Sequence, residues 1–357
     1  MNITFASTWD CRCGVAEYSH SLVAELEKHE KVEVISLDPG AISSPGRLAA
    51  RLNQGDVAHI QHQYPFFGGM GIHRNWFRQA ISKVEVPLVV TVHELDLGVN
   101  DMFPLRMYKR YFNRLIFNPP EIYRFIVHSR DYLEQMQGIG INPADITIIP
   151  EGVPKIPRTR ISMVNAKSLL KVSGKRVVTI FGFVVRRKGY ETALHAMKNL
   201  SDDVVLMIAG GAHPDDGTGF YDNLKEEIST LKLSERVVIT GYLEKHEIPT
   251  IMAASDLVAA PFTSISNSGS ILRSIAHRKP MLIADLPWSR ELGEKCRGLT
   301  FFKAGDPADF ASKVNELLGN KKLLVSNAAG SKEYSDLWTV EKAAEMTLNV
   351  YKEVLSQ

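Results

Sequence analysis

Cysteine is scarce in this 357-residue chain, with only Cys11, Cys13 and Cys296. Three such residues supply neither a paired disulfide framework nor a four-ligand zinc site, and the pattern fits a reducing compartment, read here as the cytoplasm. An excess of one charge is also missing, because 42 basic and 40 acidic residues leave a formal net charge of +2. No global field calls for nucleic acid, and none is expected as a partner. No apolar run reaches the roughly 18 residues of a membrane-spanning helix, and residues 1–6 lack a basic segment leading into a long apolar one, so neither anchor nor export signal is expected. The first strand-to-helix turn carries no Gly-x-Gly-x-x-Gly, which argues against a nicotinamide dehydrogenase, and no Gly-x-Ser-x-Gly turn supports a serine hydrolase.

What remains is an ordinary globular composition, 45% hydrophobic and 23% charged, in a length that suits two domains. Short β-branched runs at residues 3–6, 32–37, 57–61, 88–93, 125–128 and 146–149 alternate with segments of helical period. A proline-rich and basic stretch over 150–158 closes this series. The alternation restarts at 176–181, 204–209, 237–240, 257–260 and 281–284. Such alternation predicts α/β architecture: two Rossmann-like domains with mostly parallel sheets, whose ligands collect at the carboxyl ends of the strands in a central cleft. The expected boundaries are 1–155 for the first domain, 156–172 for a linker and 173–339 for the second. An amphipathic helix over 340–357, with Ala343, Ala344, Thr347, Leu348, Tyr351 and Leu355 on one face, completes the first domain.

Several stretches carry candidate chemistry. The first strand runs into Cys13, Gly14 and Val15, where apolar spacing starts a helix; its unpaired N–H groups hold a phosphate or sugar hydroxyls, or the turn is a tight connection without ligand. The second domain opens with Gly182 and Phe183 followed by Arg186, Arg187 and Lys188, cations suited either to a diphosphate or to a solvated loop. Asn267, Ser268, Gly269, Ser270 and Ile271 open another helix, where small residues cap the helix or leave N–H groups for phosphate. His93 ends a strand and should project at the sheet's carboxyl edge, with His128 at a comparable strand end. Asp215 and Asp216 are adjacent rather than spaced, no His or Cys pair has metal-ligand spacing, and no metal is expected. Residues 103–115 read as a basic, aromatic helix, packed in the core or laid against a membrane surface.

In their order along nearly the whole chain, these elements resemble the GT-B glycosyltransferases, specifically family 4, a retaining group. The marks are the run 13–18, His93, Pro150-Glu151-Gly152-Val153, Gly182-Phe183 through Lys188-Gly189, Ala209-Gly210-Gly211, and Gly241-Tyr242 ahead of Ala254-Ser255-Asp256. The resemblance implies transfer of a hexose, with retention, from a nucleoside-diphosphate sugar (UDP- or GDP-linked) to a hydroxyl of a glycan or glycolipid acceptor in surface polysaccharide synthesis. It implies no metal and no further cofactor. The catalytic group would be His93, which contacts the transferred sugar, with Arg187 and Lys188 on the diphosphate. Cys13, Gly14, Val15, Gly182, Phe183, Tyr242, Leu243, Asn267, Ser268, Gly269, Ser270 and Ile271 would hold the donor, Tyr242 and Leu243 lying by the base. Glu17, Tyr18 and His128 would meet the acceptor. The enzyme would work in the cytoplasm, with peripheral contact to the inner membrane face through 103–115. Two glutamates common in the family are Ile265 and Arg273 here, as in a subfamily whose helix opens with Ser-Gly-Ser. An inactive nucleotide-sugar- or glycan-binding partner subunit and a nucleotide-sugar 2-epimerase are the competing readings.

Overall fold

All six strands of the first sheet run parallel, in the order β2-β1-β3-β4-β5-β6. They are β1 Asn2–Ser7, β2 Lys31–Ser36, β3 Val57–His62, β4 Leu88–Val92, β5 Ile122–Val127 and β6 Ile146–Ile148. The second sheet is also parallel, in the order β12-β11-β10-β7-β8-β9. Its strands are β7 Arg176–Phe181, β8 Val204–Ala209, β9 Val237–Ile239, β10 Leu257–Ala260, β11 Met281–Ala284 and β12 Leu299–Phe302. The computed structural model describes residues 1–357 apart from 12, 43, 100, 119–120, 158–160, 214–218 and 266. Asp215 and Asp216, and Arg158 of the proline-rich stretch, lie outside the described residues.

The chain divides into unit 1, Met1–Gly152 with Trp338–Gln357, and unit 2, Val153–Leu337. Residues Met163–Leu169, inside the stretch expected as a linker, form a helix that packs on the helix Ile248–Ala254 of unit 2. β12 has no counterpart among the expected strands: its four residues, Leu-Thr-Phe-Phe, show too little alternation to stand out from the flanking helical pattern.

In unit 1 successive residues of each strand feed opposite faces, as the pleat requires. Ile3, Phe5, Val57, Val89 and Ile126 pack with Leu22, Val23 and Leu26 of the first helix, Gly14–Leu26, and with Ala344, Leu348 and Tyr351 of the last helix, Val340–Leu355. Ala6, Ala58, Ile60, Val90 and Val127 face the other way, into a core that includes Phe67, Phe77, Phe112 and Phe117. With both faces covered, β3 and β4 are wholly buried, whereas edge strand β2 is half exposed. Leu355, expected on the apolar stripe of the last helix, is exposed at its end.

Candidate functional site

In a doubly wound sheet, ligands gather where strand order reverses, because the connections there leave in opposite directions and open a crevice. In unit 2 that point is the carboxyl end of β7, beside β10. Gly182 follows β7 with φ +100°, in the region side chains avoid, and a Cβ there would run into Nζ of Lys188 and come within 3.1 Å of Ser270 Cβ. Gly189, at φ +68°, lets the next turn close against the carbonyl of Pro261, and Thr263 N donates to Arg187 O at 2.9 Å. The loops after β7 and β10 are thereby pinned together.

Lys188 is held inside this junction, 5% exposed, with Nζ donating to Phe181 O at 2.5 Å. Burial, and after it the charge of Arg187, pushes its ammonium down to about 7. A buried lysine tuned near neutrality at a strand-order reversal has the character of a working group. Arg187 stays exposed, its guanidinium 5.7 Å from the Phe262 ring centroid. Ser268 caps the helix Gly269–Ala276: its Oγ accepts from Ile271 N and lies 3.0 Å from Ser270 Oγ, and Asn267 Oδ1 accepts from Ser268 N at 2.8 Å. Ile271 is buried, so it faces this turn only through its backbone. The space above Gly269 is open: a Cβ placed on it would meet no heavy atom within 4 Å. Cations and the opening of a helix thus converge as a diphosphate would require.

Beside this cradle, the Phe183 ring lies 6.1 Å from Tyr242 and 5.0 Å from His213, and Tyr242 is 44% exposed. These rings form an aromatic surface suited to a flat base. Leu243 turns instead to the core beside Ile251 and Met207. His213 was not anticipated; the signal for it was Gly210-Gly211 after β8, where backbone closes so tightly that a Cβ at Gly211 would lie 2.7 Å from Tyr242 N. Ile265 and Arg273, which stand where the family commonly carries glutamates, are half-buried.

Unit 1 reverses strand order between β1 and β3, and the polar residues crowd the same edge. Cys13 caps the first helix through Sγ, which accepts from Ala16 N, and no heavy atom lies within 4 Å of a Cβ built on Gly14. Val15 packs into the core and Glu17 stays exposed. Tyr18, His93 and His128 come together: the Tyr18 ring lies 5.5 Å from each imidazole, and the two imidazoles lie 4.9 Å apart. Glu151 joins them, one ligand atom of each of His93, His128 and Glu151 falling within 4.8 Å of the others. Burial, reinforced by the charge of Glu151, raises the Tyr18 phenol.

His93 is held from behind by a relay that spans the unit. Tyr351 OH meets His59 Nδ1 at 2.5 Å, Gln61 Nε2 donates to His59 Nε2 at 3.1 Å, and His93 Nε2 donates to Gln61 Oε1 at 2.6 Å. Burial, then the neighbouring His128, holds His93 well below the usual imidazole range, so it is neutral at pH 7. Gln61, His59 and Tyr351 were not anticipated as partners of His93; only β3, with two histidines and a glutamine inside a buried strand, hinted at them.

Two parallel doubly wound units, each with its polar cluster at the reversal of strand order, define the GT-B class of glycosyltransferase fold. Residues 174–320 match the model for "Glycosyl transferases group 1", and residues 35–155 match that for "Glycosyltransferase Family 4". The chain belongs to the glycosyltransferases of the GT-B class. Among curated relatives it is similar to 2-deoxystreptamine glucosyltransferase of Streptomyces kanamyceticus, 24% identical over 53% of this chain and 48% of that one. It is also similar to alpha-monoglucosyldiacylglycerol synthase of Streptococcus pneumoniae, 23% identical over 72% of this chain and 58% of that one. The chain therefore spans about half the length of these relatives. Among solved structures, Anabaena HepE in complex with UDP-glucose superposes with a TM-score of 0.77 over 99% of this chain and 100% of that one, at 18% identity.

Proposed function

We propose that this protein transfers a hexose, with retention at the anomeric carbon, from a UDP- or GDP-sugar to a hydroxyl of a glycan or glycolipid in surface polysaccharide synthesis. The observation that carries the reading is the meeting of Lys188 Nζ, Gly182 and Ser268–Ser270 at the strand-order reversal of unit 2. Lys188 and Arg187, with the N–H groups opening the helix Gly269–Ala276, neutralise the diphosphate as it leaves, which lowers the barrier without requiring a metal or cofactor. Phe183 and Tyr242 give the base a stacking surface. In unit 1, neutral His93 offers a lone pair to a sugar hydroxyl, with its ring set by Gln61. Tyr18 and His128 border the same place and would meet the acceptor.

A lipid-linked acceptor is favoured by the helix Phe103–Phe117. Met102, Phe103, Leu105, Met107 and Tyr111 are all about half exposed or more, and the helix exposes Arg106, Arg110 and Arg114 and contains no acidic residue, while Lys109 is turned in to Asp96 and Asp101. Such a face suits peripheral contact with anionic headgroups, and the relative that makes a glucosyl diacylglycerol fits the same reading. Among the described residues no helix is long and apolar enough to cross a membrane.

The primary test is thermal stabilisation by UDP, GDP, ADP and their sugar conjugates, since a ligand bound only by the native state raises the melting temperature. One nucleotide is expected to stabilise; stabilisation without turnover on any acceptor would support the partner-subunit reading that Ile265 and Arg273 suggest, and no response to any of them would end the donor assignment. The two open glycines separate ligand effects from folding effects. Gly269→Ala and Gly14→Ala place a methyl group in empty space at the first position of a helix, so each should hold or raise stability by about 0.5 kcal/mol. Transfer by each should nonetheless fall about tenfold or more, as the methyl keeps donor oxygens from the backbone. Unchanged kcat/KM in both variants would mean that neither turn touches the donor.

A further inference from the structure

We infer that unit 1 carries a binding site for a single zinc-class transition metal ion, ligated by His93, His128 and Glu151 at the carboxyl ends of β4, β5 and β6. One ligand atom from each already lies within 4.8 Å of the other two. A tetrahedral ion with bonds of roughly 2.0–2.2 Å sets its ligands roughly 3.4 Å apart, so side-chain movements of about 1 Å complete the site.

The stronger observation is how the two imidazoles are held. His128 Nδ1 donates to the carbonyl of Ile149 at 2.8 Å, which makes its other nitrogen a lone pair, and that Nε2 has no hydrogen-bond partner although the residue is 5% exposed. An unpartnered nitrogen in a buried ring costs free energy unless something fills its valence. His93 Nε2 donates to Gln61 Oε1 at 2.6 Å, which likewise leaves a lone pair on its second nitrogen. Rings whose outer N–H is fixed by a carbonyl or amide oxygen are prepared for metal, because the tautomer is set and the ligating nitrogen made more basic. Two imidazoles and one carboxylate, with a coordination position left over, select zinc-class ions over magnesium or calcium, which prefer oxygen throughout. The ion would occupy the place that the proposed function gives to sugar hydroxyls, so its effect on transfer would be inhibition.

The test uses the chelator-stripped full chain without nucleotide or acceptor, titrated with Co2+ and followed by the visible band of tetrahedral cobalt, then back-titrated with Zn2+. One equivalent should bind, with displacement by zinc. H128Q should weaken binding about 100-fold, E151Q by about 10-fold or more, and H277Q, at a half-buried histidine of unit 2, should leave it unchanged. Circular dichroism establishes that each variant is folded, and E151Q, at a half-buried position, keeps the test decisive should H128Q misfold. No cobalt band, or a band of equal affinity in E151Q or H128Q, would overturn the inference. Because no sugar nucleotide is present, that failure is distinct from failure of the donor assignment.

Discussion

Lys188→Met will raise the melting temperature while weakening nucleotide binding. An ordinary lysine titrates near 10.4, whereas burial and Arg187 hold this one at about 7. Between those values the unfolded chain binds a proton that the folded chain refuses. Wild-type stability therefore rises with pH from about 7 to about 10, and below 7 the protein carries the full cost of a charged lysine in a buried position. Methionine matches its length and has no charge to desolvate. Its loss is the bond to Phe181 O, worth about 1 kcal/mol. The expected net gain is about 2 kcal/mol near neutral pH, roughly 5 °C in a unit of this size, shrinking as the pH is raised toward 10. Nucleotide affinity should fall about 100-fold with the charge-assisted contact to phosphate. Melting curves at several pH values, with and without nucleotide, measure both effects. A variant that melts lower than wild type, or binds nucleotide equally well, would remove Lys188 from the site.

Unit 1 should unfold readily in mild acid. His59 and His62 are fully buried neutral imidazoles, each pushed to about 3 by burial. His59 faces Tyr351, Thr91 and Gln61; His62 sits among Tyr64, Phe67, Phe77 and Phe117, with neither ring nitrogen bonded. The folded values lie below the unfolded value of about 6.5, so the unfolded state gains protons first and stability falls as pH drops from about 6.5 toward 3. Each histidine contributes a slope that approaches about 1.4 kcal/mol per pH unit below 6.5, and these two alone remove about 3 kcal/mol between pH 6.5 and 5. That is a large part of a typical domain's 5–15 kcal/mol. Calorimetry from pH 7.5 to 5 should show the transition of unit 1 moving down steeply. His62→Leu should raise it at pH 7, by sparing two unbonded nitrogens, and flatten its slope by about one histidine's share. A melting temperature constant across this range would show that neither ring stays neutral in the fold.

These two effects mark where sequence reading succeeded and where it stopped. The alternation of β-branched runs with helical segments located β1 through β11, because period and turn residues are local properties. Gly14 as the first residue of its helix and the span Val340–Leu355 followed from the same local signals. The meeting of Gly182, Lys188 and Ser268–Ser270 was implied by the family resemblance, whereas the residues by themselves gave only separate loops at strand ends, each with a structural alternative. The burial of Lys188 did not follow, since Arg-Arg-Lys in sequence looks like a solvated loop, and only the turn pinned at Gly189 draws the third cation inside. Nor did the ring of His93, His128 and Glu151, whose residues sit on three different strand ends, or the relay to Tyr351, which joins residues 292 positions apart.

That relay has a bearing on how the chain is made. Tyr351 and its neighbours in the last helix fill one face of the unit 1 sheet beside Leu22, Val23 and Leu26, yet the ribosome adds them only after all of unit 2. Unit 2, a continuous stretch, can fold as it emerges. Residues 1–152 must wait on the order of ten seconds or more at ordinary rates of synthesis, with Phe5, Val57 and Val89 covered by the first helix alone and His59 without its phenol. The first half of the molecule to be synthesised is thus the last to be finished, and during that interval the nascent chain presents a sticky apolar sheet that holding chaperones would recognise.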